Sequence, residues 1–186
     1  MVPISGLSAW QGLFVRGKLA AGQTVLIHGA AGAVGSLAVQ LAREAEARVV
    51  GSGRTAQREK VLGFGAHTFV DLQRDGLEHI GEVDVVFDVI RGEVLDRSAK
   101  MVRSSGTLVT IAEPPRVRPD DRQAVFFVVE PDRGQLAALE QRLRDGRLLP
   151  TADAVCPSPK RGLLSIRPVA LAATRSSRWP MTNCWR

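Results

Sequence analysis

A glycine-rich turn near residue 30 carries the clearest chemistry in the sequence. It reads His28-Gly29-Ala30-Ala31-Gly32-Ala33-Val34-Gly35-Ser36 and follows the apolar run 24–28. Against the pattern G-x-G-x-x-G, Ala30 takes the first position, and Gly32 and Gly35 take the second and third. A small first residue permits a tight turn, Gly32 lets a pyrophosphate approach the backbone, and Gly35 lets the next helix pack closely. Because N–H groups at a helix start favour anions, the turn predicts a dinucleotide site.

The end of the second apolar run distinguishes between the two nicotinamide dinucleotides. NAD-binding proteins usually carry Asp or Glu there for the ribose 2′-hydroxyl, whereas NADP-binding proteins have small and basic residues. This chain has Gly51-Ser52-Gly53-Arg54 at that point, and Arg58 and Lys60 follow closely. Arginine offers a bidentate fork and serine a donor to a 2′-phosphate, so the segment favours NADPH. The alternative for these cations is a solvated start to a surface helix.

Alternating strands and helices must position these two segments. Strands are predicted at 24–28, 48–52, 67–71, 83–88, 107–111 and 124–129. Helices are predicted at 4–20, 33–46, 56–63, 95–102 and 132–145, with a polar, Pro-rich loop at 113–122. Such alternation is typical of right-handed crossovers, so we predict an α/β fold with a Rossmann-type, doubly wound parallel sheet of about six strands. The predicted domains are a lead-in helix (1–21), an NADP-binding Rossmann domain (22–155) and a basic tail (156–186).

Few other residues suggest catalysis. His28 is interpreted as a strand residue with a satisfied imidazole rather than a base, and His67 and His79 are isolated. Asp88 ends a predicted strand, where ligands approach such sheets, but a turn-forming role is equally consistent with the pattern. The strand ends 89–90, 111–112 and 126–127 are small or apolar, which suits a nicotinamide at the crevice floor. No catalytic residue is identified.

The net charge of +6 comes entirely from the tail. Residues 156–186 hold six Lys and Arg and no Asp or Glu, while 19 basic and 19 acidic residues cancel in the rest of the chain. The tail also holds both cysteines, Cys156 and Cys184, in no metal-ligand spacing, so no metal site is predicted. A nucleic-acid partner is not expected either, because the excess positive charge lies outside the glycine-turn domain.

The sequence also bears on location. Its apolar runs are too short to span a membrane, so no membrane partner is expected. The N-terminus lacks a basic segment followed by a long apolar stretch, which predicts a cytoplasmic protein.

The run 21–35 resembles the cofactor loop of the zinc-independent quinone reductase branch of the medium-chain dehydrogenase/reductase superfamily. Further similar segments are 51–54, 62–66, 83–88, 106–111 and 126–132, and the resemblance covers residues 1–155. It implies NADPH-dependent hydride transfer to quinones, enones or similar small-molecule carbonyl acceptors. Together with the two segments above, it predicts ten cofactor contacts: Ala31, Gly32, Ala33, Val34, Gly35, Ser52, Gly53, Arg54, Ile111 and Phe127.

Several features depart from the family pattern. Leu72 stands where relatives often have Tyr, and Arg91-Gly92 replaces a Gly-Gly pair. Full-length relatives begin with a GroES-like catalytic domain, which we expect this chain to lack. Two functions therefore remain open: an NADPH-dependent reductase, and a free-standing NADP(H)-binding module or inactive remnant without turnover. A homodimer is also expected, because loss of that domain would expose apolar surface and a sheet edge.

The tail departs most strongly. Relatives continue beyond residue 155 with a short helix and a strand, whereas this chain reads Cys156-Pro157-Ser158-Pro159-Lys160-Arg161. Permitted codons for 157–169, read one base over, spell the amphipathic sequence Leu-Ala-Glu-Ala-Arg-Ala-Ala-Phe-Asp-Pro-Ala-Arg. We interpret residues 156–186 as an irregular frameshift product, which resequencing of the locus would test.

Overall fold

Six parallel strands form the centre of the fold. The computed structural model describes residues 2–75, 80–115 and 122–150, all within the unit Met1–Asp153. The strands are β1 (Thr24–His28), β2 (Arg48–Gly53), β3 (Thr68–Asp71), β4 (Val83–Asp88), β5 (Val102–Thr110) and β6 (Gln123–Phe126). Their order is β3-β2-β1-β4-β5-β6, and every neighbouring pair is parallel. This order confirms the predicted Rossmann-type sheet, and its direction reverses between β1 and β4.

Five helices connect and cover the described strands. They are α1 (Val2–Trp10), α2 (Ala33–Glu44), α3 (Arg58–Gly63), α4 (Glu93–Ser98) and α5 (Arg133–Arg144). A π-helical turn, Gln11–Arg16, extends α1, and 3-10 turns at Thr55–Gln57 and Ala99–Met101 adjoin α3 and α4. The predicted tail (156–186), His79 and part of the loop 113–122 lie outside the described residues, so those interpretations stay predictions.

The two faces of the sheet form separate hydrophobic cores. Along β1, Val25 and Ile27 face a core shared with α1, α2 and α5, whereas Leu26 faces a second core shared with α4. Successive side chains of a strand point to opposite faces, and a parallel sheet covered on both sides therefore reads as a continuous apolar run. Burial on both faces holds the strands in place. Because the strands are parallel, the turns and loops that follow their carboxyl ends lie together at one edge of the sheet.

Two strand boundaries differ from the sequence prediction by more than one residue. β5 begins at Val102 rather than at residue 107, because Val102 pairs with Val83 before a register shift that precedes Val85. The polar residues between these pairs concealed the start of the strand. β6 ends at Phe126 rather than at residue 129, because its ladder with β5 ends at the pair Thr110 and Phe126.

Candidate functional site

A groove of about 550 Å³ crosses the carboxyl ends of the central strands. Its walls come from the turn after β1, the start of α2 and the segments that follow β2, β3, β4 and β5. The lining residues are Gly29, Gly32, Ala33, Val34, Gly53, Arg54, Gln57, Leu72, Gln73, Val89, Ile90 and Ile111. The volume suits a small-molecule ligand. The position also suits one, because open parallel sheets bind ligands where the strand order reverses.

The turn after β1 depends on two glycines. Gly29 has φ +68°, and a Cβ on it would lie 2.6 Å from Cγ2 of Ile90. A Cβ on Gly35 would lie 2.2 Å from the Gly29 carbonyl oxygen. Gly35 thus has the close-packing role predicted for it, but the tight turn is made by Gly29 rather than by the residue assigned to it from the pattern, Ala30. A left-handed backbone conformation favours glycine. The glycine that directly follows the strand was therefore the signal that could have identified Gly29 as the turn residue.

The start of α2 presents backbone donors to the groove. Gly32 is the N-cap residue, with φ −77° and ψ 176°, and no side chain caps the helix. The first N–H groups of a helix have no partner within the helix. The Gly32 N–H donates to the Gly29 carbonyl oxygen at 2.9 Å, but Ala33 and Val34 also line the groove, so the first N–H groups of α2 and the positive end of its dipole suit an anion such as a pyrophosphate.

The end of β2 supplies the cation of the groove. Arg54 is exposed and lines the groove beside Gly53. The Arg54 backbone N–H donates to Oε1 of Gln57 at 3.1 Å, which shapes the turn that carries the guanidinium. Gln57 itself lines the groove, although no feature of the sequence pattern singled it out. The guanidinium of Arg58 instead lies over the Phe69 ring, 5.9 Å from its centroid.

Ser52 does not have the position predicted for it. Its side chain is fully buried, and its Oγ lies 2.6 Å from Nδ1 of His28. The hydroxyl therefore faces the core rather than the groove. On this geometry it is not available as the predicted donor to a 2′-phosphate.

Three other predicted contacts also fall outside the groove lining. Ala31, Gly35 and Phe127 are buried. Phe127 follows the last residue of β6, so its ring belongs to the core shared with α1, and the Arg16 guanidinium lies 5.8 Å from its centroid. The remaining six predicted residues do line the groove: Gly32, Ala33, Val34, Gly53, Arg54 and Ile111. Their contact with a cofactor stays a prediction.

The groove is apolar where β4 and β5 end. Val89, Ile90 and Ile111 line it there, as expected for a crevice floor. Asp88 lies beneath this floor, fully buried, and burial raises the pKa of its carboxyl. The carboxyl accepts hydrogen bonds from the backbone N–H groups of Ile90 and Arg91. Asp88 therefore forms the turn, which decides between the two roles that the sequence left open.

Sequence reasoning missed Gln57 and Gln73 as lining residues. Both lie in irregular segments that follow strands, and glutamine there carries no signal for a binding site. Leu72 lines the groove at the position where relatives often have Tyr, so that departure falls within the site.

Acid is expected to destabilise the domain through His28. Burial lowers the pKa of its imidazole from 6.5 to about 3, so between these values the unfolded chain binds a proton that the folded chain does not. The stability due to neutral His28 is fully present above pH 6.5 and is lost as the pH falls towards 3. The loss is on the order of 3 kcal/mol by about pH 4.

Urea unfolding at intervals across this pH window measures the effect. The variant His28→Asn removes the titrating group and should give a flatter dependence of stability on pH. Equal slopes for the two proteins would contradict the buried, neutral state of His28.

The described residues lack the features of two other classes of site, a metal centre and a membrane span. Residues 2–75, 80–115 and 122–150 include no cluster of three or more His, Cys, Asp or Glu that could hold a metal ion. In the same part of the chain, no helix has the length and apolar character needed to cross a membrane.

Comparisons with known proteins agree with this geometry. A family model described as zinc-binding dehydrogenase matches residues 33–127. The NADPH-dependent alkenal/one oxidoreductase, chloroplastic, of Arabidopsis thaliana is 30% identical over 164 residues, which are 85% of this chain and 40% of that protein.

Solved structures share the fold. The quinone oxidoreductase of Coxiella burnetii superposes with a TM-score of 0.74 at 24% identity, over 79% of this chain and 49% of that one. CurK enoyl reductase gives a TM-score of 0.69 at 25% identity, over 81% and 52%. The chain thus spans about half the length of these two solved proteins and 40% of the length of the Arabidopsis relative.

Proposed function

The chain belongs to the zinc-binding dehydrogenase family, and on that premise we propose that it is the cofactor-binding part of an NADPH-dependent oxidoreductase whose acceptor is a quinone- or enone-type carbonyl compound. The observation that carries the proposal is the groove at the reversal point of the sheet, with uncapped N–H groups at one wall and Arg54 at another. This pairing suits the pyrophosphate and the 2′-phosphate of NADPH, respectively.

Different residues of the groove would hold different parts of NADPH. The first N–H groups of α2 would bind the pyrophosphate, and the Arg54 guanidinium would bind the 2′-phosphate. Val89, Ile90 and Ile111 would pack against the nicotinamide and exclude water from it. NADPH supplies a hydride from C4 of its nicotinamide, so the chain's own contribution is to bind and orient the reactants.

The names of relatives support the cofactor and the acceptor class. The Arabidopsis protein is named for NADPH and for alkenals and alkenones, and the Coxiella protein for quinones. Although the family is described as zinc-binding, the described residues provide no ligand set for a zinc ion.

A binding module without turnover is the second candidate. Among the described residues that line the groove, Arg54 is the only one with an ionisable side chain. The described lining residues therefore include no carboxyl, imidazole, thiol or phenol that could donate a proton to a carbonyl acceptor. The alternative is a chain that holds NADP(H) without reducing anything.

The expected homodimer and the cytoplasmic location stay predictions. β6 is an outer strand of the sheet, and Phe126 and Val128 at its end are 41% and 72% exposed. Within the described part of the chain no strand pairs with the outer side of β6, and such an edge with exposed apolar side chains nearby favours association with a second copy.

Titration of NADPH into the whole chain tests the proposal. We expect binding in the micromolar range or weaker, tighter for NADPH than for NADH, and little or no NADPH oxidation with a panel of quinones and enones. The variant Gly32→Ala tests the site itself. Among the described atoms its Cβ would meet the Gly29 carbonyl oxygen alone, at 3.3 Å, so the domain should fold, but the methyl group would obstruct the approach of a pyrophosphate.

The outcomes separate the two candidates. Absence of NADPH binding, or equal binding by Gly32→Ala, contradicts the proposed site. Binding without turnover supports the module, whereas robust turnover by the chain alone would show that no further domain is needed for catalysis.

A further inference from the structure

We propose that His28 is a positioning residue for the groove, which acts through Ser52 to hold the end of β2 beside the turn after β1. The proposal rests on the proposed function, because the end of β2 carries the residue assigned to the 2′-phosphate, Arg54. Its basis is a network of buried side-chain hydrogen bonds whose residues do not line the groove.

The imidazole of His28 joins three elements. Its Nδ1 lies 2.6 Å from Oγ of Ser52 on β2, and its Nε2 lies 2.5 Å from Oγ of Ser98 on α4. The Ser98 hydroxyl donates in turn to the Val94 carbonyl oxygen at 2.6 Å. All three polar side chains, those of His28, Ser52 and Ser98, have 0% exposure, so water cannot replace any of these bonds.

The position of each hydrogen atom in this network follows from the number of donors that each side chain has. Ser98 has one hydroxyl hydrogen and donates it to Val94, so Ser98 accepts from N–H at Nε2 of His28. A neutral imidazole carries one N–H, which leaves Nδ1 as an acceptor. Ser52 therefore donates its only hydroxyl hydrogen to Nδ1. Each donor has one acceptor, and the buried network is fully satisfied, which is the condition under which such networks rigidify a core.

The network lies directly behind the groove walls. Ser52 is the ladder partner of His28, and its carbonyl oxygen accepts from the Ala30 N–H at 3.1 Å. The two residues after Ser52, Gly53 at the end of β2 and Arg54 just beyond it, line the groove. The link from Ser52 to His28 thus adds a side-chain bond to the backbone bonds that set the distance between the α2 donors and Arg54.

This arrangement predicts an effect on cofactor choice and not only on stability. The pyrophosphate donors belong to α2, whereas the 2′-phosphate partner belongs to the end of β2. Loosening the network should therefore weaken NADPH binding and leave NADH binding nearly unchanged. A merely structural role would lower both affinities together or neither.

The variants Ser98→Ala and Ser52→Ala test this at residues that do not line the groove. Ser98→Ala leaves N–H at Nε2 unsatisfied, and Ser52→Ala leaves Nδ1 without a donor. The matched control is Ser8→Ala, since Ser8 is also buried but its hydroxyl bonds to the Ile4 carbonyl oxygen within α1. Fluorescence titrations give both affinities, and amide hydrogen exchange of Gly53 and Arg54 reports on the end of β2 without a ligand.

We expect Ser98→Ala and Ser52→Ala to weaken NADPH binding about fivefold, with NADH affinity within about twofold of wild type. We also expect faster amide exchange at Gly53 and Arg54 in both variants and wild-type exchange there in Ser8→Ala. The ¹⁵N shifts of the wild-type His28 ring should show the proton on Nε2. Unchanged exchange at the end of β2, a proton on Nδ1, or parallel loss of both affinities would overturn the proposal. If wild type shows no preference for NADPH, the proposed cofactor is wrong, and the exchange and ring measurements still decide the role of His28.

Discussion

Replacement of Gly35 by alanine is expected to destabilise the domain by about 3 kcal/mol or more and to abolish NADPH binding. The added Cβ would lie 2.2 Å from the Gly29 carbonyl oxygen and 2.8 Å from Cα of Ala30. Both are backbone atoms, so no side-chain rotation relieves the overlap. The start of α2 would have to move away from the turn after β1, and the N–H groups assigned to the pyrophosphate would move with it.

Thermal or urea unfolding, followed by NADPH titration of whatever folded protein remains, measures this prediction. Gly63→Ala is the matched control, because Gly63 also lies in a helix but a Cβ there meets no atom of the described residues within 4 Å. Its stability should equal or slightly exceed that of wild type, since alanine has the higher helix propensity. Similar unfolding midpoints for the two variants would mean that α2 packs on the turn less closely than described above.

Replacement of Arg54 by alanine is expected to lower NADPH affinity at least about tenfold, with NADH affinity unchanged, because a charge-assisted bond to phosphate contributes about 1.5–3 kcal/mol. NADH lacks the 2′-phosphate and cannot make that bond. Arg54 is exposed and its side chain is outside both cores, so the unfolding midpoint should stay at the wild-type value. The loss should shrink as salt is added, because exposed charges are screened.

The matched control for Arg54→Ala is Arg48→Ala. Arg48 is an exposed arginine at the amino end of β2, away from the groove, whereas Arg54 follows the carboxyl end of that strand. Its removal makes the same change in net charge and should leave both affinities unchanged. Equal losses in the two variants would point to a general effect of charge and would contradict a 2′-phosphate contact at Arg54.

Much of the fold was predictable because its signals are local. β1 and β4 have the bounds read from the sequence, 24–28 and 83–88, since each is a short apolar run followed by a turn. The family inferred from these segments is confirmed by the match over residues 33–127. The start of β5 was missed because Val102 joins the sheet through a pairing partner, Val83, that no local pattern reveals.

The candidate site was predictable where backbone geometry defines it. Gly32 and Arg54 line the groove as expected, since a turn after a strand and the end of the next strand must meet at one edge of a parallel sheet. The prediction was less successful for side chains. Phe127 was assigned to the groove from its place in a strand, but β6 ends one residue earlier and the ring enters the core.

The sequence by itself determined the alternation of strands and helices, the glycine turn and the absence of a carboxylate at the end of β2. The tertiary structure decided which polar groups remain available to a ligand. Ser52 illustrates the difference, because its hydroxyl bonds to His28, 24 residues away, and His28 bonds in turn to Ser98, 70 residues farther along the chain. Backbone conformation follows from neighbouring residues in the sequence. A hydrogen-bond partner on a distant strand or helix is known only once the folded sheet has brought the two side chains together.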